Sequence, residues 1–339
     1  MIFAVICLIA VALFFDFVNG FHDAANSIAT IVSTRVLAPG WAVAWAAFFN
    51  FAAAFGGGVK VADTMGRGVI QFEMLRAQGP DIVLSVLFAA LFGAIAWNLL
   101  TWWWGLPSSS SHALTGGLVG TALCALGPHG LVVSGVLTIA LFIVLSPLIG
   151  MFLGAMMTII TAWIVRKQTP ARVDRWFRRL QLVSAGIFSY SHGSNDAQKV
   201  MGIIAIVLYG TIWSGRPFGV PFWVVLLCQG AIALGTLFGG WRIVRTMGHS
   251  LTKLQPIGGF CAETGGGVTI LALARLGIPV STTHTITGAI IGVGLTRGTR
   301  AVSWGVAGRI VWAWVFTIPA SGLVAAAMYG VVRAIAHAL

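Results

Sequence analysis

Runs of apolar residues occupy about 1 to 18, 41 to 62, 81 to 104, 113 to 126, 131 to 165, 182 to 213, 221 to 244, 261 to 276, 285 to 296 and 303 to 336. Within each run the apolar character is continuous rather than alternating, which argues for helices and against the dyad pattern of a β-barrel. Helices also satisfy every backbone donor and acceptor inside lipid. Two runs, 131 to 165 and 303 to 336, are long enough for a break or a second passage, with kinks expected at Ser146-Pro147 and Ile318-Pro319. The pattern predicts an all-α polytopic membrane protein of about ten to twelve transmembrane segments, each needing about 20 apolar residues to cross.

Composition makes that reading exclusive. The 339 residues are 58% apolar and 8% charged, against roughly 25% charged in a soluble domain, and the mean hydropathy is +0.95. The net charge of +12 then acts as an orientation signal in a lipid bilayer, not as affinity for nucleic acid. Six basic residues fall between Arg166 and Arg179, at the middle of the chain, and the positive-inside rule places that stretch in the cytoplasm. Cys7, Cys124, Cys228 and Cys261 stand singly in apolar runs, so they read as buried hydrophobes rather than as a metal or disulfide framework. The first run has no basic leader and no evident cleavage site, and the first helix is expected to stay in the protein.

The two sides of the basic stretch match each other. GFHDAAN at Gly20 to Asn26 aligns with GSNDAQK at Gly193 to Lys199, and TMG at Thr64 to Gly66 with Thr246 to Gly248. GLPSSSSHALTGGLVG at Gly105 to Gly120 aligns with GIPVSTTHTITGAIIG at Gly277 to Gly292. The expected organisation is a first repeat over 1–165, a basic cytoplasmic connector over 166–180 and a second repeat over 181–339. Two such halves with interrupted helices point to a secondary transporter with its site near the midplane. An odd number of crossings per half makes the repeats inverted and puts both termini outside, as the lack of Lys or Arg before Arg35 suggests.

Asp23 and Asp196 fall at membrane depth, where a carboxylate costs roughly 2.5 to 3.5 kcal/mol and is usually functional. Cation or proton coupling is their expected role. Gly20, Asn26, Gly193, Ser194 and Asn195 around them favour local unwinding. The paired segments Pro107 to His112 and Pro279 to His284 read as helix starts: hydroxyls cap, first-turn N–H groups are free, and the helix dipole favours an oxyanion. Ser109, Ser110, Ser111, Ser281, Thr282 and Thr283 would form that cradle. An intramembrane serine hydrolase is disfavoured, because Ser111 and His112 are adjacent and no GxSxG elbow is present; no enzyme activity is expected. His112 and His284 are expected to be structural hydrogen-bonders. Lys199 could pair with Asp196 at i,i+3, contact the anion, or hold a coupling cation's place. Glu263 heads an apolar segment whose glycines suggest another break.

GFHDAAN and SHGSNDAQK resemble the duplicated signature of the inorganic phosphate transporter (PiT) family, and PSSSSH and PVSTTH resemble its re-entrant motifs. The resemblance spans nearly the whole chain, and the short central loop is similar to that of prokaryotic members. It implies import of inorganic phosphate by symport with Na⁺ or H⁺, in a plasma-membrane protein. By motif, Asp23, Asn26 and Asp196 would bind cation and phosphate, and the six hydroxyls above with Thr115 and Thr287 would cradle phosphate; from their positions alone, Lys199 is a further candidate for the phosphate and Glu263 for the cation. No cofactor and no transition-metal site are implied; a homo-oligomer is compatible with the family. Two departures, Lys199 and Asn50 where many sodium-coupled relatives have Asn and Glu, remove cation ligands and shift the expectation toward protons or a neutral metal-phosphate complex. The alternatives are a sulfate or other oxyanion symporter of the same fold, and an anion channel.

Overall fold

The computed structural model describes residues 1–338 and is helical throughout apart from short connections. Its helices are α1 (Ile2–Ser33), α2 (Pro39–Ala52), α3 (Lys60–Arg67), α4 (Phe72–Ala77), α5 (Pro80–Trp104), α6 (Ser110–Leu126) and α7 (Val133–Val165). After a four-residue turn follow α8 (Pro170–Gly210), α9 (Phe222–Phe238), α10 (Trp241–Arg245), α11 (Pro256–Arg275), α12 (Thr282–Leu295) and α13 (Trp304–Ala338). Proline opens α2, α5, α8 and α11, the position where its missing N–H costs nothing.

The same succession occurs on both sides of the central turn: a long helix, a bent pair, a span, a short hydroxyl-led helix and a long proline-containing helix. The bends are 83° after α2 and 62° after α9. Glycines make them, with Gly58 at φ +74° and Gly239 at φ +67°, a left-handed conformation that side chains resist. Each short helix packs against the last long helix of the other half: α6 on α13, and α12 on α7. Gly116 and Gly120 let α6 meet the carbonyls of Ile318 and Gly322, and Gly288 and Gly292 let α12 meet those of Pro147 and Met151. A Cβ at any of the four would collide with backbone, so small residues set the approach, as usual between helices in lipid. Large apolar side chains such as Phe152, Trp163, Trp312 and Leu323 are exposed on the outer faces, where a bilayer would cover them.

Several expectations change. By length and composition alone, five helices, α1, α5, α7, α11 and α13, are long and apolar enough to cross a membrane, and the bent pairs raise this to seven. Outside that count are the short α6 and α12, of 17 and 14 residues, and the 41-residue α8, which carries Asn195, Asp196, Gln198 and Lys199 inside its apolar stretch. The unwinding expected at Gly20 and Gly193 is absent; α1 and α8 run unbroken through both, and these glycines instead admit the backbones of Ile232 and Asn50. The same holds at Glu263, where Gly265 admits Gly154. Pro147 and Pro319 lie inside continuous helices. From Pro170 onward the basic stretch forms the first turns of α8. Cys228 and Cys261 are buried as expected, while Cys7 and Cys124 are exposed.

Candidate functional site

The two short helices begin alike. Ser109 Oγ accepts from the His112 N–H at 3.2 Å, and Ser281 Oγ accepts from the His284 N–H at 3.2 Å. Each cap oxygen satisfies one otherwise orphaned donor, leaving its own O–H proton free to donate. The two starts come together at the centre of the molecule, where the rings of His112 and His284 meet at 4.6 Å and His284 stacks on Trp314 at 3.8 Å. These histidines are ring-packing groups: His112 Nδ1 and His284 Nε2 have no partner, and His284 Nδ1 reaches the Ile143 carbonyl at 3.4 Å. Ring packing thus accompanies the one hydrogen bond that the His284 ring makes, to the Ile143 carbonyl.

Around the starts stand the two aspartates, both essentially without exposure. Asp23 Oδ1 lies 2.7 Å from His22 Nδ1, whose Nε2 is 3.1 Å from Thr101 Oγ1. Asp196 is more heavily held. Its Oδ1 faces Lys199 Nζ at 2.5 Å and accepts from Asn195 Nδ2 at 3.1 Å, and its Oδ2 accepts from Thr282 Oγ1 at 3.0 Å with His192 Nε2 at 3.2 Å. Lys199 sits in a fully buried pair, so it also donates to Ser111 Oγ and to the Val280 carbonyl at 2.8 Å; buried charges need such partners.

A matched pair of contacts ties the halves together. Asn26 on α1 donates to Thr283 Oγ1 at 2.9 Å and Thr282 Oγ1 at 3.3 Å, at the start of α12. Lys199, at the corresponding place on α8, reaches Ser111 at the start of α6. Asp23, His192 and Asp196 place their ligating atoms within 4.8 Å of one another, a donor set of two carboxylates and an imidazole that suits a cation.

Of the residues expected at the site, Asp23, Asn26, Asp196, Lys199, Ser111, Thr282 and Thr283 are thus in direct or one-step contact. Ser110 Oγ and Thr287 Oγ1 are buried without partners, and Thr115 donates to the Ser111 carbonyl at 2.9 Å. Glu263 is elsewhere, in its own nest: Thr30 donates at 2.6 Å, Gln181 at 3.0 Å and Ser184 at 2.5 Å. The sequence reading missed Gln181 and Ser184, although their i,i+3 spacing at the head of an apolar run is a polar stripe on one helix face. It also passed over Asn50, which as a ligand was only noted for what it lacks, and which bridges His192 at 3.2 Å and Thr236 at 2.9 Å.

The Phosphate transporter family profile matches residues 19–325. The chain is 60% identical over 323 residues to a "Probable low-affinity inorganic phosphate transporter" of Rhizobium meliloti (strain 1021), covering 95% of this chain and 94% of that protein. It is 41% identical over 332 residues to a protein of the same description in Bacillus subtilis (strain 168), covering 97% of each. A solved structure described as "The sodium-dependent phosphate transporter" superposes with a TM-score of 0.85 at 27% identity, covering 98% of this chain and 99% of that one.

Proposed function

The chain belongs to the phosphate transporter family, whose members are transporters and not enzymes, and from that premise we propose that it imports inorganic phosphate by symport with a cation. Residues 1–165 and 181–339 act as inverted repeats that rock about a site between them. The basic start of α8 faces the cytoplasm and both termini face outside, in the plasma membrane.

The observation that carries this reading is the crossed pair of contacts, Asn26 to the start of α12 and Lys199 to the start of α6. Two helix starts with free hydroxyls and dipole ends converge, and Ser110 at the first of them has no protein partner, a setting that receives a tetrahedral oxyanion. Ser109, Ser110, Ser111, Thr115, Ser281, Thr282, Thr283 and Thr287 hold the anion with Asn26 and Lys199. Phosphate carries one to two negative charges near neutral pH, and at a dielectric near 20 two ionised aspartates nearby repel it by several kcal/mol. Cations or protons must therefore enter with it, and substrate and cation become coupled through a shared free energy. Lys199 already supplies positive charge at Asp196, so fewer Na⁺ ions are needed there, and a proton serves as the coupling ion. Glu263 would contribute to a cation site from its separate nest.

The Asp23, His192 and Asp196 cluster favours a second reading, in which phosphate enters as a neutral complex with a divalent metal. Labelled-phosphate uptake by proteoliposomes tests both. Accumulation above the outside concentration, resistant to excess sulfate, supports phosphate symport, and equilibration without accumulation contradicts it. Stimulation by Mg²⁺ that a chelator removes favours the metal complex.

A further inference from the structure

Asp16 lies mid-way along α1, seven residues before Asp23, about 10 Å away at a helical rise of 1.5 Å per residue. It has no solvent exposure, and neither carboxylate oxygen has a hydrogen-bonding partner in the protein. Asn19 Oδ1, one turn on, is likewise unpartnered. This separates Asp16 from the other buried acids: Asp23 has His22, Asp196 has Lys199, and Glu263 has three donors. The repeat does not explain it either. The offset of 173 that relates Asp23 to Asp196 puts Ser189 opposite Asp16, and Ser189 satisfies itself on the Ala185 carbonyl at 2.8 Å.

The titratable groups facing Asp16 are Cys228 on α9 and Asp196 and Lys199 on α8. On the other helices packed along α1, Glu263 of α11 binds Thr30, Arg242 of α10 lies over Trp102 and Trp103, and His112 of α6 and His284 of α12 meet edge to face. Helix α2 and the part of α5 beyond Asp81 carry none. An ionised carboxylate in this setting has no ion pair, and only the Asn19 amide and the Cys228 thiol stand beside it as weak neutral donors; such a state is disfavoured inside a membrane protein. A protonated carboxyl carries no charge to compensate there.

We propose that Asp16 is the proton-binding group of the transport cycle. It enters the phosphate-bound state as the neutral acid, and in the inward-facing state its O–H bond breaks heterolytically, with the proton passing to cytoplasmic water and the electron pair staying on the carboxylate. Lys199, on the neighbouring α8, is a cation that can face the ionised form. This rests on the symport reading above and names its coupling residue.

The full-length protein in proteoliposomes tests it, with labelled phosphate and an internal pH-sensitive dye. In Asp16→Asn, accumulation driven by an inward proton gradient should fall by about 10-fold or more, and the proton influx accompanying phosphate should fall with it, while phosphate-for-phosphate exchange at equal pH persists. Asp16→Glu should restore gradient-driven uptake. Unchanged gradient-driven accumulation in Asp16→Asn overturns the assignment. So does joint loss of exchange and accumulation that Asp16→Glu does not rescue, because that marks a structural role. Failure of the wild type to accumulate phosphate on a pH gradient is separate, and overturns the premise of proton symport itself.

Discussion

Asn26 and Lys199 occupy corresponding places in the two halves, and each reaches across to the hydroxyl-led helix start of the other half. One is neutral and leaves Asp23 with His22 alone as a partner; the other is a cation that binds Asp196 directly. The same backbone plan therefore yields one end of the site whose carboxylate is lightly held and one whose carboxylate is already neutralised. The lesson is that duplication supplies the hydroxyl-led helix start twice, whereas single substitutions decide how each buried carboxylate is held; on the proposed function, they also decide where mobile cations are still required.

The largest effect should come from removing the charges themselves. Asp23→Asn and Asp196→Asn should each reduce concentrative uptake by about 100-fold, about 2.8 kcal/mol of lost coupling at 1.4 kcal/mol per tenfold. The two should differ in stability: Asp196→Asn strands the buried Lys199 and should lower the melting temperature more than Asp23→Asn, as thermal unfolding in detergent would show. Equal melting shifts would mean that the two ends are held alike.

Next is Lys199→Asn, which makes the two positions identical. Breaking a buried pair from one side costs about 3 to 5 kcal/mol, and here the uncompensated Asp196 should recruit a cation. Uptake should therefore become more dependent on Na⁺ at fixed pH, and Na⁺ should raise the variant's melting temperature. Unaltered Na⁺ dependence would remove Lys199 from the coupling.

Smaller effects probe the shared parts. Gly116→Ala and Gly288→Ala each push a methyl into a backbone carbonyl of the neighbouring long helix, so overpacking of about 1 to 3 kcal/mol is expected at both. Ser109→Ala and Ser281→Ala remove equivalent caps worth about 1 kcal/mol each, and should weaken phosphate affinity by similar factors. Unequal losses in either pair, measured by unfolding and by uptake kinetics, would break the equivalence of the two cradles.

Much of this was legible in residue order. The hydroxyl motifs announced helix starts because proline, cap and apolar periodicity coincide there, and Asp23 and Asp196 stood out because charge inside an apolar run demands a reason. What was not legible depended on packing between distant segments. Gly20 and Gly193 have the composition of a break, yet serve as sites of close helix contact, and only the neighbouring helix distinguishes the two. Glu263 was visible as an acid, but its donors come from α1 and α8, far away in sequence. Asp16 escaped notice beside the stronger signature that follows it, because its lack of partners is a property of the folded neighbourhood alone.

The central claim, that resident Lys199 lets protons replace sodium, is tested most directly by phosphate uptake into proteoliposomes with Na⁺ and pH gradients imposed one at a time. Uptake on the inward proton gradient with Na⁺ absent is the expected result. Uptake that requires Na⁺ at fixed pH, and does not respond to the proton gradient, would contradict it.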